Sequence, residues 1–382
     1  MKTLGVHLQY SFDPSAQQGA QVRNPLFDLL WAVRENGSIQ HAAKALGLSY
    51  RHVWGSLKQW QDVLGEPLVS WTQGQPARLT PFAERLVWAE TRARTRLTPH
   101  IEALRVELER ALAEARDGDQ HVLTVYASHD LALPALRELA SRQQRLHVEL
   151  RFAGSVDALR ALAEGRCLIA GFHVPPLPDS PKLFAQALKP LLKPGQHKLI
   201  GFSRRAQGLM VAPGNPLAVR TLADVVRSGA RFVQRQTGSG TRLLTDHLLH
   251  EAGLPADALS RSEQAAEDSH LAVAAAIASG LGDVGMGIEA AAQAFGLAFV
   301  PLAEEDYFLV CLKDALDHPA VLKLRAVLGS ADWQQTLQDV PGYQPLSIAR
   351  SGEVLSLTRA LPWWHFRQPK ASVAPLGLLP AG

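Results

Sequence analysis

At 382 residues the chain is longer than one ordinary core and suits two or three domains. An apolar fraction of 47% beside a charged fraction of 20% is that of a globular protein, and a net charge of +3 excludes a histone-like polyanion binder. Cys167 and Cys311 lie in apolar runs and read as buried thiols of a reducing compartment. The first twenty residues lack the apolar core of a signal peptide, and no run approaches the roughly 18 apolar residues of a membrane span. A cytoplasmic protein with no membrane partner is expected.

Residues 1–22 form an irregular start. Asn24-Pro25 is a helix start, a capping side chain before a first-turn proline, and Leu26, Leu29, Leu30 and Val33 follow on one face. Gly37 ends that helix and Ser38 caps a second, in which Ala42 and Ala43 permit close helix contact. Leu46-Gly47-Leu48 is a tight turn, and Ser49 caps a third helix, predicted over Tyr50–Leu64. Two short helices around a glycine turn fit a helix-turn-helix, with the helix after the turn entering the major groove. They fit equally a three-helix bundle that binds no nucleic acid. In SYRHVWGSLKQW the donors Ser49, Tyr50, Arg51, His52 and Ser56 cluster at the N-terminal end, whereas Val53, Trp54, Leu57 and Trp60 have the spacing of a buried face. Glu66–Thr80 reads as two short strands around Thr72–Pro76, a wing able to touch phosphate.

The run GSIxxAAKxxGxSYxxxW from Gly37 to Trp54, with the wing ending Leu79-Thr80-Pro81, decides between these readings. Over residues 24–97 the chain resembles the N-terminal domain of the ModE-type molybdenum regulators, distant relatives of the LysR-type regulators. The resemblance implies a winged helix-turn-helix over residues 23–80 that binds double-stranded promoter DNA. Its expected contacts are Ser38, Ser49, Tyr50, Arg51, His52, Ser56, Lys58, Gln75 and Arg78. The domain's small basic excess points to affinity from a dimer.

Thr80-Pro81 opens a long helical stretch, residues 81–117, expected to serve as linker and dimerisation helix. Leu97, Ile101, Leu104, Leu108, Ala111 and Ala115 have the alternating spacing of a helix-pair seam. Pro99 either kinks this run or begins a second helix capped by Thr98. A homodimer or homotetramer is expected.

After the polar break at Arg116–Gln120, β-like runs (HVLTVYAS, LHVELRFA, CLIAGFHV, GLMVAP, RFVQRQ, DVGMGI, FVPL, YFLVCL) alternate with helical ones, which predicts α/β layers with parallel βαβ units. In RFVQRQTGSGTRLLTDHLL a strand, a glycine turn and a helix follow in order, so Gly238, Ser239, Gly240 and Thr241 should offer backbone N–H groups to an oxyanion, with Thr237 of the same turn in the ligand set. Ser128 and Ser155 each follow a strand, where open α/β sheets place ligands. Arg235, His129 and His270 complete the candidate ligand set, with His270 as readily structural as ligand-facing. His129-Asp130 reads as a cap, and residues adjacent to Ser128 cannot form a nucleophile–base relay with it. No GxSxG elbow, metal-ligand cluster or dinucleotide fingerprint appears, so no enzyme, metal or cofactor is expected.

The segments ASHDLA (127–132), Gly154-Ser155, APGNP (212–216), RQTGSGTR (235–242), SHLAVA (269–274), GMGI (285–288) and FVPL (299–302) resemble, as a set, the periplasmic-binding-protein superfamily. More narrowly, they resemble the cytoplasmic branch fused to ModE-like helix-turn-helix units. The resemblance implies a two-lobed type II domain over 121–345, with lobe I about 121–204 and 301–345 and lobe II about 205–300. It also implies crossings near Ile200–Leu209 and Pro301–Leu309, and residues 346–382 are left as a C-terminal tail. The function implied is a regulator sensing a small oxyanion, molybdate or tungstate, for molybdoenzyme genes. The alternatives are a small carboxylate such as formate, or molybdenum cofactor, as effector, or a cytoplasmic anion-storage protein.

Overall fold

The computed structural model describes residues 24–70, 76–116, 121–176, 182–260, 266–361 and 363–364. The chain forms two compact units, Met1–Arg105 and Val106–Gly382.

In the first unit local capping sets the helices. Asn24 accepts from the Leu26 amide ahead of α1 (Pro25–Asn36), and Gly37 closes it at φ +59°, bonding back to Val33. Ser38 caps α2 (Ile39–Ala45) and Ser49 caps α3 (Tyr50–Leu64), each accepting from the amide three residues on. The wing pairs β1 (Val69–Ser70) with β2 (Arg78–Leu79), and Thr80 then caps α4 (Pro81–Arg116). Pro99 lies inside α4, which is one helix, and Thr98 bonds back to Arg94 instead of opening a second. Leu30, Val33, Ala42, Val53, Leu57, Leu68, Ala83 and Val87 close the core. Trp54 departs from expectation. It is 42% exposed and stacks on Tyr50 (centroids 6.5 Å apart), because it lies one residue off the Val53–Leu57 stripe that meets the core.

The second unit is built on one mixed sheet. Its elements run β3 (His121–Ala127), α5 (Leu133–Gln144), β4 (Leu146–Phe152), α6 (Ser155–Ala163), β5 (Ile169–Val174), α7 (Lys182–Leu188) and β6 (His197–Val211). They continue with α8 (Leu222–Ser228), β7 (Phe232–Val233), α9 (Gly240–Glu251), α10 (His270–Ala278), β8 (Val284–Ile288), α11 (Glu289–Ala294) and β9 (Ala298–Leu312). The unit ends with α12 (Pro319–Leu328), α13 (Ala331–Gln338), β10 (Tyr343–Gln344), β11 (Val354–Ser356) and α14 (Leu357–Ala360). The strand order is β4-β3-β5-β9-β6-β8-β7, with β10 and β11 also pairing with β6.

The parallel βαβ reading holds for β3–β4, β3–β5 and β7–β8, but the centre is antiparallel. There β6 and β9, each 15 residues, run past one another for nearly their full length. Near one end β9 also pairs with β5; near the other β6 pairs with β8, so the two long strands carry the chain between the lobes. Both expected crossings fall inside these strands. Strand alternation splits the core: Tyr307, Leu309 and Cys311 join one apolar cluster, Phe308 and Val310 the other, on opposite faces. Part of the expected tail belongs to this body, since β11 pairs with Lys198–Ile200 and buries Leu355, Leu357 and Leu361. Among the described residues no helix is long and apolar enough to cross a membrane.

Candidate functional site

A narrow cleft open to solvent lies where strand ends and helix starts converge. The strand β3 delivers Ser128, β5 delivers His173, β6 delivers Arg205 and β9 delivers Glu305. Arg235 follows β7, Gly240 and Thr241 open α9, and His270 opens α10. Gly154, ahead of α6, faces the α9 turn so closely that a Cβ there would lie 2.7 Å from the Gly238 carbonyl oxygen. Gly238 itself has φ +85°, a conformation that side-chain-bearing residues rarely adopt.

Behind the cleft sits a buried polar cluster centred on Arg205, 2% exposed. Its Nε donates to Glu305 Oε1 at 2.6 Å and its Nη1 to Asp130 Oδ2 at 2.8 Å. Tyr343 donates its hydroxyl to the same Asp130 oxygen at 2.9 Å, and Gln207 Nε2 donates to Glu305 Oε1 and Thr241 Oγ1. Burial is the largest influence on Asp130 and Glu305 and opposes their ionisation. The Arg205 guanidinium, together with His173 and the hydrogen bonds from the Ala132 amide and Gln207, outweighs it, and both carboxyls lie below their usual range. Burial, reinforced by Arg205, holds His173 below the usual histidine range. Burial with Arg235 and Arg205 holds His270 well below it. Both imidazoles are therefore neutral near pH 7.

Arg235 is the contrasting cation. Only 4% exposed, it donates from Nε to the Glu267 carbonyl and from Nη2 to the Asp268 carbonyl, and its Nη1 lies 3.2 Å from His270 Nδ1. None of these partners is a carboxylate, and burial together with the like charge of Arg205 brings its pKa down to about 10. Asp268, Glu305 and Glu267 act on it only through space. A buried guanidinium with N–H groups to spare and, among the described residues, no carboxylate hydrogen-bonded to it is a place for an anion.

Of the ligand residues expected from the sequence, Ser128, His129, Arg235, Ser239, Gly240, Thr241 and His270 line the cleft. Ser155, Thr237 and Gly238 do not. Ser155 begins α6, is 1% exposed and accepts from the His173 amide at 3.4 Å, so its hydroxyl is engaged within the protein. Ser239 lines the cleft, yet its hydroxyl caps α9 and bonds the Gln236 carbonyl. Asp130 is not the cap of α5, whose N-cap Ala132 has no side-chain cap. It accepts from the Ala132 amide two residues on, its second oxygen serves Arg205 and Tyr343, and His173 Nε2 lies 3.4 Å from that oxygen. Sequence reasoning missed His173, Arg205, Asp268 and Glu305. The available signal was charge inside apolar strands: SRRA in β6 and EED in β9.

The described DNA candidates lie on α2, α3 and β2 or at their starts. Ser38 and Ser49 are caps; Tyr50, Arg51, His52 and Lys58 on α3 and Arg78 on β2 are exposed, and Ser56 is half-buried. Gln75 and the wing tip lie outside the described residues. Leu46 and Leu48 in the turn are exposed beside Tyr50 and Trp54.

Residues 26–84 match the family described as "Bacterial regulatory helix-turn-helix protein, lysR family", and residues 136–329 match the "PBP superfamily domain" family. Neither description is of an enzyme. The uncharacterised protein YvgK of Bacillus subtilis (strain 168) is 30% identical over 195 residues, 51% of this chain and 62% of that protein. The HTH-type transcriptional regulator CbbR of Xanthobacter flavus is 26% identical over 225 residues, 58% of this chain and 60% of that one. The chain thus spans under two thirds of the length of these two curated relatives. A hydrogen-peroxide-bound OxyR mutant of Corynebacterium glutamicum is 16% identical, covering 82% of this chain and 92% of its own, with a TM-score of 0.43. With a matched model spanning half of it, the chain belongs to the PBP superfamily domain family, in a fused form that carries a helix-turn-helix of the lysR family ahead of that domain.

Proposed function

We propose that this chain is a cytoplasmic transcriptional regulator that binds promoter DNA through α2 and α3 and answers to a small anion held in the cleft. The observation that carries the effector reading is Arg235, a buried guanidinium lining the cleft with no carboxylate among its hydrogen-bond partners. The exposed Arg51, His52, Lys58 and Arg78 support the DNA reading, as contacts to phosphate and base edges. Leu97 and Leu104, exposed on α4 at 36% and 48%, support association of two copies along that helix. The likeness of the helix-turn-helix to ModE-type regulators makes molybdate and tungstate the first effectors to try, with formate and molybdenum cofactor as alternatives.

A gel shift with DNA from upstream of the chain's own gene, with and without each anion, is the test. An affinity for that DNA that changes with one anion supports the regulator. Anion binding without any DNA binding turns the reading to anion storage or delivery. No response to any anion removes the effector role of the cleft.

A further inference from the structure

The cleft holds acceptors as well as donors, and the acceptors restrict what the anion must bring. His173 Nε2 lies 3.4 Å from Asp130 Oδ2 and 3.9 Å from Glu305 Oε1. Ionised carboxylates only accept, so the ring proton belongs on Nε2 and the lone pair on Nδ1. Ser128 Oγ lies 2.7 Å from that Nδ1, so its proton points into the imidazole and the oxygen keeps only lone pairs for a ligand. The groups facing His173 hold this arrangement from every side. Ser128 comes from the end of β3 and Asp130 from the loop after it, Ser155 from α6, Arg205 from β6, Glu305 and the stacked Tyr307 from β9, and His270 from α10. Two further acceptors lack donors: among the described residues Glu305 Oε2 and Asp268 Oδ1 are buried without a hydrogen-bond partner, and both residues line the cleft.

The donors are short of acceptors. His270 Nε2 lies 3.3 Å from Arg205 Nη2 and its Nδ1 3.2 Å from Arg235 Nη1. A neutral imidazole has one lone pair for these two guanidinium donors, so in either tautomer one N–H meets another. An oxygen placed between them relieves that conflict.

We propose that the effector is an anion carrying N–H or O–H donors of its own, its oxyanion end at Arg235 and His270 and its donors against Ser128, Asp268 and Glu305. The proposal rests on the anion reading of the cleft and narrows it. A protonated oxyanion, or an acid bearing a hydroxyl or amine, satisfies both halves of the cleft. Bare molybdate, sulfate or formate meets three acceptors with nothing but lone pairs and, at the two carboxylates, with like charge.

Matched probes isolate the donor. Phosphate and sulfate share tetrahedral geometry, but phosphate keeps a proton at pH 7.5; glycolate differs from acetate by one hydroxyl. Calorimetry on the full chain at constant ionic strength should give phosphate at least about tenfold tighter than sulfate or molybdate, and glycolate tighter than acetate, for one added charged hydrogen bond. Asp268→Asn, which turns an acceptor into a group able to donate, should shrink the phosphate-to-sulfate ratio severalfold, and Ser128→Ala should shrink it too. Sulfate or molybdate binding as tightly as phosphate overturns the proposal, as does a ratio unchanged in both variants. If no probe binds while the chain still binds DNA, the anion reading of the cleft falls and this proposal falls with it.

Discussion

Replacing Arg205 with Met probes the buried cluster most directly. The side chain is 2% exposed and bridges two carboxylates, Asp130 and Glu305, themselves 3% and 1% exposed. Removing one partner of a buried pair costs about 3–5 kcal/mol, because the remaining charge is left without compensation. Here two charges are left, which places the loss at the upper end, near 5 kcal/mol. At about 2–4 °C per kcal/mol for a domain of roughly this size, the transition should fall by about 10–20 °C. The pH dependence fixes the cause. In the parent both carboxyls titrate below their unfolded-state range, so their contribution is complete above about pH 4 and fades as pH falls through the lowered folded values. Without Arg205, burial is opposed only by His173 with the Ala132 amide at Asp130, and by His173 with Gln207 at Glu305. The folded values rise towards or above the unfolded ones, and destabilisation grows as pH climbs from about 4. The gap between parent and variant should therefore narrow from pH 7 to pH 5, and Arg205→Lys should lose less than Arg205→Met at both. Thermal unfolding of the full chain followed by circular dichroism measures all of this. A loss below about 1 kcal/mol at pH 7, or an equal gap at both pH values, refutes the reasoning.

Arg51→Ala should weaken specific DNA binding, and unchanged affinity with an unchanged salt slope would remove it from the interface. Trp54→Ala should shift stability by no more than about 0.5 kcal/mol, since the ring is exposed; unfolding of the domain in this variant would contradict its placement. Glutamate at both Ile101 and Leu104 should give monomers by light scattering that still bind the effector, and an intact dimer would move the association surface off α4. Gly154→Val should lower anion affinity at least about tenfold by calorimetry, because its Cβ would lie 2.7 Å from the Gly238 carbonyl oxygen and displace the α9 turn.

Local chemistry made the helix boundaries of the first unit legible. Asn24, Ser38, Ser49 and Thr80 each cap the helix that follows, and Gly37 and Gly47 adopt the positive φ that their turns need. These signals act over a few residues, so one chain suffices to read them. Trp54 was misplaced because helical spacing bounds a buried stripe only to within a residue. Val53 and Leu57 mark its centre, and the indole about 100° further round joins Tyr50 on the exposed face.

The cleft was half legible for the same reason. Residues that announce themselves locally, in the turn before α9, the serine after β3 and the histidine opening α10, were found. Those that matter through pairing were not. Arg205 stands opposite Glu305 in the β6–β9 register, a relation between positions about a hundred residues apart that no local pattern encodes. Its trace was two charged runs, Arg204-Arg205 and Glu304-Glu305-Asp306, in the middle of otherwise apolar strands. A lone charge there would have to be expelled or neutralised, so opposite charges in two strands of equal length argue that the strands are neighbours. That inference makes β6 and β9 neighbours; their antiparallel direction, which the βαβ reading lacked, is seen only in the register itself. It also exposes the feature on which the proposed effector reading turns: with Arg205 committed to Asp130 and Glu305, Arg235 has, among the described residues, no carboxylate hydrogen-bonded to it.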